Sequence, residues 1–181
     1  MILVVAATAR EAELADGAET LVCGVGPVEA ALVTARRLAS SRPSAIVHIG
    51  IAGARALAPP ALVLGSEAVY CDIVDPRTVL SRVARAVPDA TLLERARAAL
   101  PEAHVLPIGT TGRVGGGLGC EVEAMEGFGV LRAAVLAGVP AVELRAVSNP
   151  VAEQDRGRWR VDDALAALRT GIRTLLGALD A

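Results

Sequence analysis

The sequence predicts an α/β protein whose mostly parallel sheet is covered on both faces. Three observations predict it. Apolar, strand-like runs alternate with amphipathic helical stretches from one end to the other. The 181 residues suffice for one domain, 1–181, with a full core. The apolar fraction is 53% with only 2% aromatic residues, so small and branched aliphatics fill that core.

Strands are expected at 2–7, 20–24, 45–51, 63–71, 104–110, 120–124 and 141–148. A first helix follows Gly26 from about Pro27 to Ala39, with proline at its first position. Val28, Ala31, Leu32, Ala35 and Leu38 make its buried stripe. A second helix spans about 91–100, opened by Thr91 with Glu94 three residues on, a capping-box spacing. A third covers 125–137, stopped by Gly138 and Pro140. The last, 162–179, lines up Leu165, Leu168, Ile172, Leu175 and Leu179. Asp75-Pro76 opens a possible helix over 75–88. The glycine-rich piece from Gly112 to Gly119 reads as a mobile loop beside a site.

A formal charge of −2 with interspersed signs leaves no basic face, which argues against nucleic acid. No apolar run reaches the ~18 residues a membrane span needs, and no basic segment precedes the apolar start as in a signal peptide. The expectation is a soluble, cytoplasmic protein. Cys23, Cys71 and Cys120 are odd in number and lack metal-ligand spacing, so they read as small core residues in a reducing compartment. His48 and His104 each stand alone in a strand and read as structural.

Chemistry concentrates near strand ends. Glu11 follows the first strand. Gly24-Val25-Gly26 makes a tight turn whose backbone N–H groups, at a helix N-terminus, suit an anion or a sugar hydroxyl. It is not a dinucleotide fingerprint, because Glu29 replaces the third glycine. Gly50 to Gly53 ends another strand with small residues, including Ala52, that let a flat ligand approach the backbone. Glu123 and Glu126 bracket the third helix's start, where the dipole favours a carboxylate by ~0.3–1 kcal/mol. Met125 suits the underside of a sugar ring. Arg145 can brace Glu126 if its strand lies alongside, and Ser148-Asn149 closes that strand with polar groups in an apolar run. Taken singly, Glu11, Glu126 and Asn149 each also fit a helix start or a turn.

Together these segments resemble the purine nucleoside phosphorylase and nucleosidase superfamily along the whole chain, most closely its nucleosidase branch. Within that branch Gly109 to Gly116, Glu123 to Gly127 and Ser148-Asn149 are similar to the futalosine hydrolases of an alternative menaquinone route. The resemblance implies a three-layer α/β/α sandwich with a central mixed, mostly parallel sheet, and hydrolysis of an N-glycosidic bond without cofactor or metal. It implies that Glu11 activates water, that Glu126 holds the ribose hydroxyls over Met125, and that Asn149 contacts the purine. Trp159 falls where relatives carry an aromatic residue near the substrate's 5′ side. A small-molecule nucleoside is the implied ligand, and a homodimer or higher homo-oligomer the implied assembly. Adenine-specific relatives carry an aspartic acid at the position of Asn149. An amide cannot supply that proton, but it can donate a hydrogen bond to N7 or O6 of a 6-oxopurine. A methylthioadenosine/S-adenosylhomocysteine or inosine nucleosidase is the nearest alternative. A non-catalytic nucleoside-binding module is the alternative from another class.

Overall fold

The computed structural model describes residues 1–73, 83–117 and 119–180. Strands β1 (Ile2–Ala6), β2 (Glu19–Val22), β3 (Ala45–Ala54), β4 (Leu62–Tyr70), β5 (Arg85–Ala86), β6 (His104–Thr110), β7 (Val122–Ala124) and β8 (Ala141–Pro150) join in one mixed sheet. Parallel pairing predominates: β1 with β2 and β3, β3 with β8, β4 with β6, and β6 with β7. The pairs β3–β7, β4–β5 and β4–β8 are antiparallel. Following β3 to β8, β4, β6, β7 and back to β3 closes a five-strand ring. Ala52, Ala54, Val63, Ile108, Val122, Ala124 and Val147, drawn from all five strands, form its core.

Helices α1 (Ala9–Ala12), α3 (Ala90–Ala99) and α5 (Val161–Asp180) cover one face of the sheet. The predicted leucine stripe of α5 is buried there against Val47, Ile49, Val142 and Leu144. Helices α2 (Pro27–Ser40) and α4 (Gly127–Ala137) cover the other face. They cross closely because Gly129 has no side chain. A Cβ there would lie 2.5 Å from the Pro27 carbonyl oxygen. Gly138, left-handed at φ 65, closes α4 as its position suggests. The α/β/α layering matches the expected fold class.

Several local expectations need correcting. The buried stripe of α2 is Ala30, Thr34 and Leu38, while Val28 and Leu32 are 66% and 64% exposed. Apolar residues occupy both sides of this helix, so of the expected stripe only Leu38 is among the buried residues. Helix α3 is capped by Asp89, whose carboxylate accepts from the Leu92 N–H at 2.9 Å, and not by Thr91. Most of the possible helix over 75–88 lies outside the described residues, and its described end, Arg85–Ala86, is strand. Cys71 and Cys120, distant in sequence, both lie against Gly109. Burial pushes Cys71 up to about 11 and Cys23 up to about 12.

Candidate active site

Glu11 owes its place to the short helix α1, whose four residues are too few for a periodic signal. Thr8 and Glu11 form a capping box: Glu11 Oε2 accepts from the Thr8 N–H and hydroxyl at 3.1 and 2.7 Å. The other oxygen, Oε1, accepts from the Ile51 N–H at 3.1 Å. The helix-start reading of Glu11 therefore holds, and the same cap brings its carboxylate against the backbone of β3.

Glu126 is the residue that caps α4, one position ahead of the expected first turn, and its side chain does not cap its own helix. Its Oε1 accepts from the Gly26 N–H at 3.1 Å, and its Oε2 from Arg145 Nη2 at 3.3 Å. The anion held by the glycine turn before α2 is thus the protein's own carboxylate. Glu123, three residues earlier on β7, accepts from the N–H groups of Gly115 and Gly117 at 2.6 and 3.0 Å, tethering the glycine-rich loop over the site.

Arg145 lies beneath these acids, 1% exposed. Its Nε donates to Glu143 Oε1 at 2.8 Å, its Nη1 to the Ile51 carbonyl at 3.4 Å, and its Nη2 contacts His48 Nε2 at 2.6 Å. His48 Nδ1 stands 3.0 Å from the Val5 carbonyl, which can only accept. The proton therefore sits on Nδ1 and Nε2 accepts from arginine. Burial, reinforced by the arginine charge, holds His48 well below its ordinary range. Burial works against the charge on Arg145, but Glu143 and Glu126 more than offset it and hold the guanidinium above its usual value. Burial also raises Glu143, against the pull of Arg145, and its Oε2 has no partner among the described residues. Gly50, opposite Arg145 in the β3–β8 register, leaves the guanidinium room. A Cβ there would fall 2.2 Å from Nη1. This glycine makes way for a side chain, whereas the sequence suggested a flat ligand.

Glu11, Glu123 and Glu126 border one cavity of about 250 Å³. Its wall includes Glu11, Ala52, Gly53, Met125, Glu126, Arg145, Ser148, Asn149 and Trp159 from the sequence reading, but not Gly24, Gly26 or Gly50. Asn149 is buried, with its Oδ1 accepting from Ser148 Oγ at 2.8 Å and its Nδ2 donating to the Pro150 carbonyl at 3.0 Å. One Nδ2 hydrogen remains for a ligand. Sequence reading gave no site role to Thr8, Thr111, Arg113 and Arg156 on the wall or to Glu143 behind it, while His48, read as structural, is buried and hydrogen-bonded through both ring nitrogens. The signal for Glu143 was present, as a charge inside the apolar run Ala141-Val142-Glu143-Leu144. Chemically, the cavity offers several carboxylate oxygens around a small polar guest, an amide beside them, and a cation withdrawn beneath the surface.

The sequence profile of the Phosphorylase superfamily matches residues 17–181. A 62-residue stretch is 55% identical to futalosine hydrolase of Streptomyces coelicolor, covering 34% of this chain and 26% of that protein. A 58-residue stretch is 45% identical to futalosine hydrolase of Thermus thermophilus, covering 32% and 26%. The matching segments thus span about a quarter of these relatives' length. Among solved structures, a Streptococcus pneumoniae MTA/SAH nucleosidase in complex with 8-aminoadenine superposes with a TM-score of 0.84 at 18% identity, over 98% of this chain and 99% of that one. Futalosine hydrolase of Helicobacter pylori gives 0.83 at 16% identity, over 99% and 97%. These two structures share the fold, and the profile match over most of the length settles the family: the chain belongs to the phosphorylase superfamily.

Proposed function

We propose that this chain, acting as a single domain, hydrolyses the N-glycosidic bond of futalosine, releasing hypoxanthine and dehypoxanthine futalosine for menaquinone synthesis. The observation that carries this reading is the gathering of Glu11, Met125, Glu126 and a buried Asn149 around one cavity. The strong local identity to two futalosine hydrolases supports the choice of substrate.

In this reading Glu126 holds the ribose hydroxyls above Met125. As the bond from C1′ to the base lengthens, positive charge grows on the sugar, and the carboxylates of Glu126 and Glu11 stabilise it. Glu11 takes a proton from water, whose oxygen bonds to C1′. The electron pair of the broken bond leaves on the base, which then picks up a proton. A general base of this kind contributes ~10²–10⁴-fold, or about 3–5 kcal/mol. Asn149 donates its remaining N–H to N7 or O6 of hypoxanthine, a base that leaves more readily as an anion than adenine does. A site built to hydrogen-bond one group rejects analogues lacking it by ~10⁴–10⁵.

The outward-facing Val25, Val28 and Leu32 offer an apolar surface that supports a homodimer or higher homo-oligomer. The three free thiols suit a cytoplasmic setting.

Incubation with futalosine, inosine and methylthioadenosine tests the substrate, with free base quantified by chromatography. Futalosine should be cleaved fastest and methylthioadenosine slowest. Adenine release faster than hypoxanthine release would defeat the role given to Asn149. Glu11→Gln should bind hypoxanthine normally yet lose several orders of turnover, and unchanged turnover would remove Glu11 from the mechanism.

A further inference from the structure

Glu123 has more acceptor capacity than a loop tether uses. Its carboxylate lines the catalytic cavity, and among the described residues it forms no ion pair, whereas Glu126 is paired with Arg145. One oxygen accepts the Gly115 N–H at 2.6 Å and the other the Gly117 N–H at 3.0 Å. A carboxylate has about four acceptor sites, so each oxygen keeps room for a further donor from the cavity.

The sheet sets this carboxylate beside Asn149. Gly53 of β3 is paired with Glu123 of β7 on one side and with Asn149 of β8 on the other. The three residues form a row across adjacent strands, and the central one has no side chain. A Cβ on Gly53 would lie 3.2 Å from Asn149 Nδ2 and 3.6 Å from Glu123 Cγ. The bare glycine therefore leaves a slot between a donor and an acceptor, open to the edge of a flat ring.

We infer that Glu123 is a specificity-determining residue, accepting the N1–H of a 6-oxopurine while Asn149 donates to the neighbouring O6. This inference rests on the hydrolytic reading above and adds a second polar contact to the base.

Asn149 is held in its donor orientation. Its Oδ1 accepts from Ser148 Oγ at 2.8 Å and its Nδ2 donates to the Pro150 carbonyl at 3.0 Å, so turning the amide over would lose both bonds. A 6-oxopurine presents an acceptor at O6 next to a donor at N1, the complement of an amide N–H next to a carboxylate. A 6-aminopurine presents a donor and a lone pair at the same two atoms. It would set donor against donor and lone pair against carboxylate, so both contacts fail together.

The test compares kcat/KM for base release from futalosine and from its 6-amino counterpart, which share the sugar and everything beyond it. The wild-type protein should prefer futalosine by about a hundredfold or more. In Glu123→Gln that preference should fall by about tenfold or more, as loss of one hydrogen bond to a charged group gives. The glutamine removes the charge and can turn its own N–H toward the ring nitrogen of the 6-amino compound. A residue that only tethers the loop would affect both substrates alike, so equal losses would overturn the inference. A second measurement needs no variant. Calorimetry on the wild type should show hypoxanthine bound about tenfold or more tighter than 1-methylhypoxanthine, and equal affinities would also overturn the inference. Cleavage of neither nucleoside, with hypoxanthine still preferred over its 1-methyl derivative, would overturn the hydrolytic reading and leave Glu123 as a reader of the base.

Discussion

The paired strands β3 and β8 have two faces of opposite character at the same level of the sheet. Toward α5 they present Val47, Ile49, Val142, Leu144 and Ala146, all buried against leucines and isoleucine. Toward the site they present His48, Gly50, Glu143 and Arg145, paired His48 to Glu143 and Gly50 to Arg145. Strand alternation alone produces this division. One face is held by water exclusion, which needs no particular partner. The other is held by directed contacts around one guanidinium, each of which fails if its partner is lost. A parallel pair at the centre of a sheet can therefore carry a charged site inward while its reverse side keeps the fold.

The largest way to break the comparison is Arg145→Met. Breaking a buried ion cluster from one side typically costs ~3–5 kcal/mol, and here Glu143 would be left with neither charge partner nor donor. Urea unfolding should show a loss of that order, and hypoxanthine release should fall with it. A loss below about 1 kcal/mol would mean that the polar face contributes little to stability. Leu168→Ala attacks the opposite face. Removing a fully buried leucine costs ~2–5 kcal/mol, yet kcat measured below the unfolding transition should stay within about twofold of wild type. A matching loss of turnover would show that the two faces are not separable.

Alternation and punctuation made most of the architecture legible: aliphatic runs located seven of the strands, and the Leu165 to Leu179 stripe placed α5 correctly. Helix α2 misled, Leu38 apart, because Val28 and Leu32 on one side are at least as apolar as Ala30 and Thr34 on the other, and the choice depends on where α4 crosses. In the site, Glu11, Glu126 and Asn149 could be picked out from their positions at strand ends. The contacts of His48 and Glu143 could not, because they require the β3–β8 register, which strands distant in sequence do not reveal. The ring formed by β3, β8, β4, β6 and β7 escaped reading for the same reason.

A smaller perturbation tests the register directly. Gly50→Ala adds one methyl where Arg145 Nη1 would lie 2.2 Å away and Glu11 Oε1 3.0 Å away. Overpacking of this kind costs ~1–3 kcal/mol. Because the displaced group is the guanidinium, turnover should fall more than thermal stability does. A variant with wild-type kcat would show that Arg145 need not hold this position.

The smallest expected effect is a pH slope, and it sharpens the contrast because the aliphatic face has no titrating group. His48 is held well below its ordinary value of 6.5 by burial and by Arg145. As pH falls through 6.5 the unfolded chain takes up a proton that the folded chain refuses, so stability falls, by at most ~1.4 kcal/mol per pH unit. Glu143 acts with the opposite sign. Burial raises it above 4.5, so between 4.5 and its folded value the folded chain binds the extra proton and stability falls as pH rises. Where the windows overlap the two contributions oppose each other, with Arg145, Glu126, Glu11 and Cys23 as the charged or titratable groups around them. His48→Gln keeps an acceptor for Arg145 and a donor for the Val5 carbonyl while removing the titration. Between pH 7 and 5 its melting temperature should decline less steeply than that of the wild type. Identical slopes would place the acid sensitivity elsewhere, whereas a flatter slope assigns it to the one imidazole that the sheet has sealed against protons.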